Sequence, residues 1–295
     1  MLEPGPSPGT IAAFDYEAAF SRNVGWVTEA EQLALRQKRV AIAGLGGVGG
    51  AHLLTLTRLG IGRFTIADFD RFDIANFNRQ SGATIASIGL PKTQVLAEQV
   101  RGINPAADLR VFAEGVTAEN INTFLDGVDC YVDGLDFFAF SAREMTFAAC
   151  ARLGIPAVTA APIGMGAALL NFLPGRMTFE QYFRVHGRTE AQKAARFLVG
   201  LTPAMLHRGY LVDPSRVDLA AGRGPSTAMA CQLCAGLAAT EVLKILLRRG
   251  PVLAAPRGMH FDAYTGRLRK TWRPGGNANP LQRLLIAIAR RKYRA

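Results

Sequence analysis

A chain of 295 residues, 49% hydrophobic and 19% charged, can bury a sizeable core and is too apolar to be disordered. Lys and Arg number 34 against 23 Asp and Glu, a formal net charge of +11 that suits anionic partners. Four cysteines in so long a chain exclude a disulfide framework, and the start Met1–Gly9 lacks the basic and apolar stretches of a leader, so a cytoplasmic protein is expected.

Residues 1–20 read as a flexible, Pro/Gly-rich lead segment, and Thr28 with Glu31 reads as a capping box opening a helix over Glu29–Gln37. Val40–Ala43 is a short apolar run of the kind buried on both faces of a parallel sheet. Gly44, Gly46, Gly47, Gly49 and Gly50 follow, then a helix with Leu53, Leu56, Thr57 and Leu59 at helical spacing, ended near Gly60 and Gly62. Arg63–Ala67 is the next strand, closed by Asp68-Phe69-Asp70. Strand, glycine turn, helix, strand and acid form a βαβ unit suited to a nucleotide. Such a turn leaves backbone N–H groups at a helix N-terminus for phosphate, and the acid can accept from ribose hydroxyls. The glycine spacing alone does not choose the nucleotide, and NAD is the default for it.

Asp73–Gln80 reads as loop or short helix, and Pro91 opens a helix that Asn104-Pro105 ends. Leu109–Phe112, Val128–Val132, Pro156–Ala160 and Met165–Phe172 read as strands. Thr117–Leu125 and Ser141–Leu153 read as helices. Leu153–Gly175 is free of charge and long enough to span a bilayer, but Pro156, Pro162, Gly164 and Gly166 divide it into buried strands. The fold class expected is α/β: a doubly wound, Rossmann-like, mostly parallel sheet with a few antiparallel strands at the far edge.

From Arg176 to Pro225 the alternation breaks, and this stretch reads as an excursion that contacts substrate or partner. A long helix returns over Ser226–Arg248, followed by a hairpin of Met259–Ala263 and Arg267–Trp272. Pro280–Arg294 reads as an amphipathic basic helix with Leu281, Leu284, Leu285, Ile288 and Ala289 on one face. The last 25 residues hold six cationic side chains and no acid, which suits nucleic acid, an acidic protein, a membrane surface or plain solubility. The chain thus divides into a lead (1–20), a nucleotide-binding core (21–175), the excursion (176–225), the return helix and hairpin (226–272) and a basic tail (273–295).

Four features do not suit hydride transfer. Asn76, Asn78, Arg79 and Gln80 stand together after the ribose acid; Lys92 opens the next helix; Asp136 closes the strand Val128–Val132 on the edge bearing the glycine loop; Arg22 lies upstream. Nucleotidyl transfer needs fixed cations because negative charge builds on the α-phosphate and the departing pyrophosphate. Arg79 and Lys92 suit a triphosphate clamp, and Asp136 suits Mg²⁺ bridging phosphate oxygens. Each alone also has a plainer reading, as a solvated charge or a helix cap. His52, His186, His207 and His260 have no metal-ligand spacing; His52 reads as structural, and His186 and His207 as possible substrate contacts within the excursion.

These motifs resemble the ThiF/MoeB/HesA family, the ubiquitin-activating-type adenylyltransferases. The matching pieces are Gly44-Leu-Gly-Gly-Val-Gly49, Asp68-Phe-Asp70, Asn76-Phe-Asn-Arg-Gln80, Pro91-Lys92, Ile103-Asn-Pro105, Asp133-Gly-Leu-Asp136 and Thr240-Glu-Val-Leu-Lys244. The resemblance implies ATP- and Mg²⁺-dependent activation of a carboxylate as an acyl-adenylate with release of pyrophosphate: a protein or peptide C-terminus, commonly the C-terminal glycine of a ubiquitin-like protein, or a small or tRNA-borne acid. It implies ribose at Asp68, phosphates at Asn76, Arg79, Gln80 and Lys92, metal at Asp136, and Arg22 reaching into the other subunit of a homodimer. Two departures stand out. The excursion has no cysteine for a thioester, and Cys231-Gln-Leu-Cys234 lacks the second pair that a zinc site needs, so no zinc is expected. Cys130 and Cys150 read as core. The alternatives are an NAD(P)-dependent oxidoreductase on the same unit, or a nucleotide-binding scaffold without turnover, for which the tail would make peripheral membrane contact.

Overall fold

The computed structural model describes residues 14–218 and 221–292; the expectations for residues 1–13 and 293–295 lie outside them. One sheet organises the chain, in the order β3-β2-β1-β4-β5-β6-β7-β8. Its strands are β1 (Arg39–Ala43), β2 (Arg63–Ala67), β3 (Asp108–Phe112), β4 (Cys130–Asp133), β5 (Ala157–Ile163), β6 (Gly166–Phe172), β7 (Arg257–Asp262) and β8 (Arg267–Trp272). The first five run parallel and the last three join antiparallel, as expected for the far edge.

Alternation along the strands divides the core in two. Val40, Ile42, Val132 and Val158 face α2 (Glu29–Gln37), α3 (Gly47–Arg58), α4 (Lys92–Ile103) and, later in the chain, the long helix over Ala228–Leu246. Ala41, Ala43, Tyr131 and Ala157 face α5 (Ile121–Phe124), α6 (Phe140–Leu153), α7 (Phe179–Phe183) and α8 (Glu190–Leu201). The long helix, α9 (Ala228–Leu246), is apolar enough to cross a membrane by length and composition, yet it packs on α3, β5 and β6 with Cys234, Ala238 and Val242 buried. α10 is Pro280–Lys292.

Three expectations change. Residues 16–20 are not a flexible lead: they form α1 (Tyr16–Phe20), capped by Asp15, because the Tyr16 hydroxyl donates to the Gly60 carbonyl at 2.6 Å and both Tyr16 and Phe20 are buried. The excursion does not leave the sheet at once. α7 and α8 fold back on α6 because Phe179, Tyr182, Phe183 and Phe197 bury their rings against Phe172 and Phe140. In α10 the buried face is Gln282, Ile286 and Ala289, while Leu281, Leu284 and Ile288 are exposed. The small residues Ala195 and Val199 of α8 admit only that face, and Gln282 donates to the Val199 carbonyl.

Candidate active site

The C-terminal ends of β1, β2, β4 and β5 meet at one edge of the sheet, the place where open α/β sheets bind ligands. There the chain leaves β1 through Gly44, at φ +82°, and a Cβ at Gly44 would overlap the Gly134–Leu135 backbone that follows β4. Gly49 is equally constrained, since a Cβ there would overlap the Gly44 carbonyl. These two positions bring the β4 exit against the glycine loop, and Asp136 lies one residue further on. Gly46 caps α3 without a side-chain bond, so the N–H groups of the first turn remain open to an anion.

Asp68 buttresses the loop from β2. One carboxylate oxygen accepts from the Leu45 N–H at 2.6 Å and the other from the Asp70 N–H at 2.7 Å. Burial raises its pKa, and those two N–H bonds act in the opposite direction. Each oxygen keeps a second lone pair, so acceptance from a ribose hydroxyl remains compatible with this arrangement. Asp70 acts on a neighbour: its carboxylate pairs with the buried Lys92 ammonium at 2.8 Å, while its carbonyl accepts from the Lys92 N–H. With the Arg71–Pro91 bridge, that holds the start of α4 beside the turn that follows β2.

The turn after β2 carries the polar group 76–80. Asn76 is used locally, its Oδ1 accepting from the Asp73 N–H. Asn78 donates to the Ser226 carbonyl just ahead of α9 and accepts from Arg79 at 2.9 Å. Arg79 also donates to the Ala75 carbonyl at 3.1 Å, and its stem lies 3.2 Å from where a Cβ on Gly47 would stand. Gln80 is buried beside Gly46, with its Oε1 unpartnered. An orphan acceptor over a glycine turn is an unused recognition group.

Asp136 is exposed, and its Oδ1 accepts from the Phe138 N–H at 2.9 Å, leaving Oδ2 open. One open carboxylate oxygen fits Mg²⁺ held mainly by substrate phosphates and water, the usual habit of that ion. Among the described residues no three His, Cys, Asp or Glu gather as a protein-only metal site, and Cys231 and Cys234 are buried free thiols. Arg22 is set apart. Asn23 beside it donates to the Leu59 carbonyl at the C-terminal end of α3, a helix of 12 residues, so about 18 Å separates that end from the glycine loop.

Sequence reasoning missed the support beneath Asp136. Arg143 of α6 is buried and pairs with Asp133 at 2.8 Å, and it donates to the carbonyls of Leu135, Asp136 and Phe137. Thr159 donates to the same Asp133 carboxylate. The available signal was an arginine within a helix of small and apolar residues, and an acid ending a buried strand. The far rim is closed by the 3₁₀ turn Leu206–Tyr210, whose Tyr210 hydroxyl donates to Asp262 at 2.5 Å and accepts from the Met165 N–H. His207 packs there against His260, ring centroids 6.0 Å apart, and His186 lies exposed near Glu144.

Residues 20–284 match the ThiF family model. The chain is 33% identical over 147 residues to tRNA threonylcarbamoyladenosine dehydratase of Haemophilus influenzae, 49% of this chain and 55% of that protein. It thus spans about half the length of that relative. Among solved structures, E. coli MccB with MccA-N7isoASN superposes with a TM-score of 0.66 at 19% identity, over 91% of this chain and 75% of that one. E. coli tRNA N6-threonylcarbamoyladenosine dehydratase, TcdA, in complex with ATP gives 0.58 at 22% identity, over 81% and 98%. At these identities the likeness speaks for the fold.

Proposed function

The chain belongs to the ThiF family, and from that premise we propose that it is an ATP-dependent adenylyltransferase that activates a carboxylate as an acyl-adenylate. The observation that carries this reading is the convergence of one open helix N-terminus, one guanidinium and one buried ammonium on a single sheet edge. Hydride transfer has no use for that set.

In this reading a substrate carboxylate oxygen attacks the α-phosphorus, the bond to the β-phosphate oxygen breaks, and pyrophosphate departs. The nucleophile is already ionised at neutral pH, so no protein base is required. The first turn of α3, Arg79 and Lys92 hold the phosphates in line, and Asp68 with Gln80 orients the nucleoside. Asp136 would hold Mg²⁺, which supplies charge neutralisation on the phosphate oxygens. Thioester transfer is left out, because residues 176–225 contain no cysteine. The carboxylate is a protein or peptide C-terminus, a small acid or an acid borne on tRNA; the relatives named sulfur carrier protein ThiS adenylyltransferase and tRNA threonylcarbamoyladenosine dehydratase support the first and the last of these classes. For Arg22, next to Asn23 at the far end of α3, the proposed role is in the site of a second copy, which requires a homodimer.

The test is ATP–pyrophosphate exchange driven by candidate carboxylates, including peptides, small acids and tRNA carrying the acid. Arg79→Ala, Lys92→Ala and Asp136→Ala should each lower exchange by at least about 100-fold, the scale for losing one charge-stabilising donor. ATP should bind and NADH should not. Unchanged exchange in all three variants, or NADH binding, rejects the assignment.

A further inference from the structure

A cluster of arginines lies in the layer of α7, α8 and α10, apart from the residues of the glycine loop. α7, α8, the 3₁₀ turn Gly276–Ala278 and α10 enclose a cavity of about 450 Å³ lined by Arg184, Arg188, Arg196 and Arg283 with Glu180 and Asn277. Its walls are built and held. Buried Asn277 donates to the Phe183 carbonyl at 2.8 Å and to the Arg196 carbonyl at 3.0 Å, tying α7 to α8. Gly276 approaches Tyr182 so closely that a Cβ would overlap its backbone, and Gln282 fastens α10 to the same wall.

The charge in this cavity is unbalanced. Among the described residues, none of the four arginines has a carboxylate within salt-bridge distance. The one acid, Glu180, turns an oxygen to the N–H groups of Val185 and His186. Arg196 has a pKa lowered by burial first and then by Arg188 and Arg290, with Glu180 acting in the opposite direction and Arg184 adding to the lowering, so repulsion among the cations exceeds what the one acid offsets. Arginines held together by a rigid frame in excess over a single acid are stabilised by an added anion.

We infer that this cavity is a binding site for a multiply charged phosphate ligand, either the phosphodiesters of an RNA strand or a free polyphosphate. Guanidinium forks match phosphate oxygens two by two, and four of them against one acid exceed what a single carboxylate neutralises. The exposed Leu281, Leu284 and Ile288 lie about 100–160° around α10 from Arg283, so a flat bilayer seated on that stripe does not enter the cavity.

The full chain, with a non-hydrolysable ATP analogue occupying the glycine loop, is titrated with a fluorescent single-stranded RNA and separately with tripolyphosphate. The variant R188Q/R283Q replaces two exposed arginines and should keep the wild-type melting temperature. Exposed Arg101→Gln on α4 is the control for general charge. At least one probe should bind wild type and the control alike and bind R188Q/R283Q at least about 10-fold more weakly. If the probe is RNA, its log–log salt slope should shrink by about 1.4, or about 0.7 per lost single-strand phosphate contact. Binding of RNA assigns the source to a nucleic acid; binding of tripolyphosphate alone assigns it to a small ligand. Polyglutamate that binds as tightly through the same two arginines overturns the phosphate assignment. Absence of arginine-dependent binding by both probes overturns the site. No turnover enters these readouts, so the result stands apart from the adenylation proposal.

Discussion

The parallel half of the sheet, β1 to β5, and the antiparallel half with its covering helices, β6 to β8 with α7, α8 and α10, use their buried and cavity-lining arginines differently. In the first, charges near the site are tied to something: Lys92 to Asp70, Asp68 to two backbone N–H groups, Arg143 to Asp133. In the second, Lys193 of α8 is tied to Glu144 and Glu190, but among the described residues the four arginines lining the cavity pair with no acid. Under the proposed adenylation, the nucleotide and the chemistry of activation fall to the first half; under the inferred anion site, the partner's charge falls to the second.

The largest expected effect that would break this comparison is at Arg143. Arg143→Ala leaves Asp133 charged, buried and unpaired, which should cost about 3–5 kcal/mol in denaturant unfolding and lower exchange through the released Asp136 loop. A loss below about 1 kcal/mol would show that the tied-charge half is not held as described. Glycine substitutions sharpen the same point. Gly49→Ala meets the Gly44 carbonyl and should abolish ATP binding, whereas Gly46→Ala meets only Gln80, 3.7 Å away, and should fold normally. Equal behaviour of the two in an ATP titration would contradict the close approach.

Acidification tests both halves at once. His52 is buried with both ring nitrogens unpartnered, and burial lowers its pKa to about 3; burial and the neighbouring His260 lower that of His207 to about 4. An unfolded histidine protonates near its ordinary value of 6.5, so between that pH and those lowered values the unfolded chain binds more protons. The unfolding free energy should then fall as pH drops from about 6.5 towards 4, by on the order of 2–3 kcal/mol for His207 alone. Chemical unfolding at several pH values measures it, and His207→Gln should flatten the part due to the rim. The smallest effect is expected from Leu281→Ser, Leu284→Ser and Ile288→Ser, each within about 0.5 kcal/mol because the side chains are exposed. If the tail touches membranes, as the amphipathic pattern suggests, the triple variant should lose flotation with anionic liposomes; equal flotation removes that idea.

The legible part of the site was the part built from short-range motifs. Gly44 to Gly49, Asp68 and Lys92 each sit next to a strand end or helix start, so period and punctuation alone place them on one edge. The support was less legible because it is long-range: Arg143 reaches Asp133 ten positions away, and Thr159 reaches it from another strand. The arginine cavity was hidden for the same reason, since Arg184 and Arg283 stand about a hundred residues apart and become neighbours only when Asn277 staples the helices.

Sequence by itself determined the strand–helix alternation, the glycine loop and the acids after it, because each follows from local backbone sterics and a two- or 3.6-residue period. Tertiary structure alone decided which face of α10 is buried, where α7 and α8 dock, and which charges have partners. Those outcomes depend on shape complementarity between distant segments, as with Ala195 and Val199 against Ile286 and Ala289, and no local period encodes it.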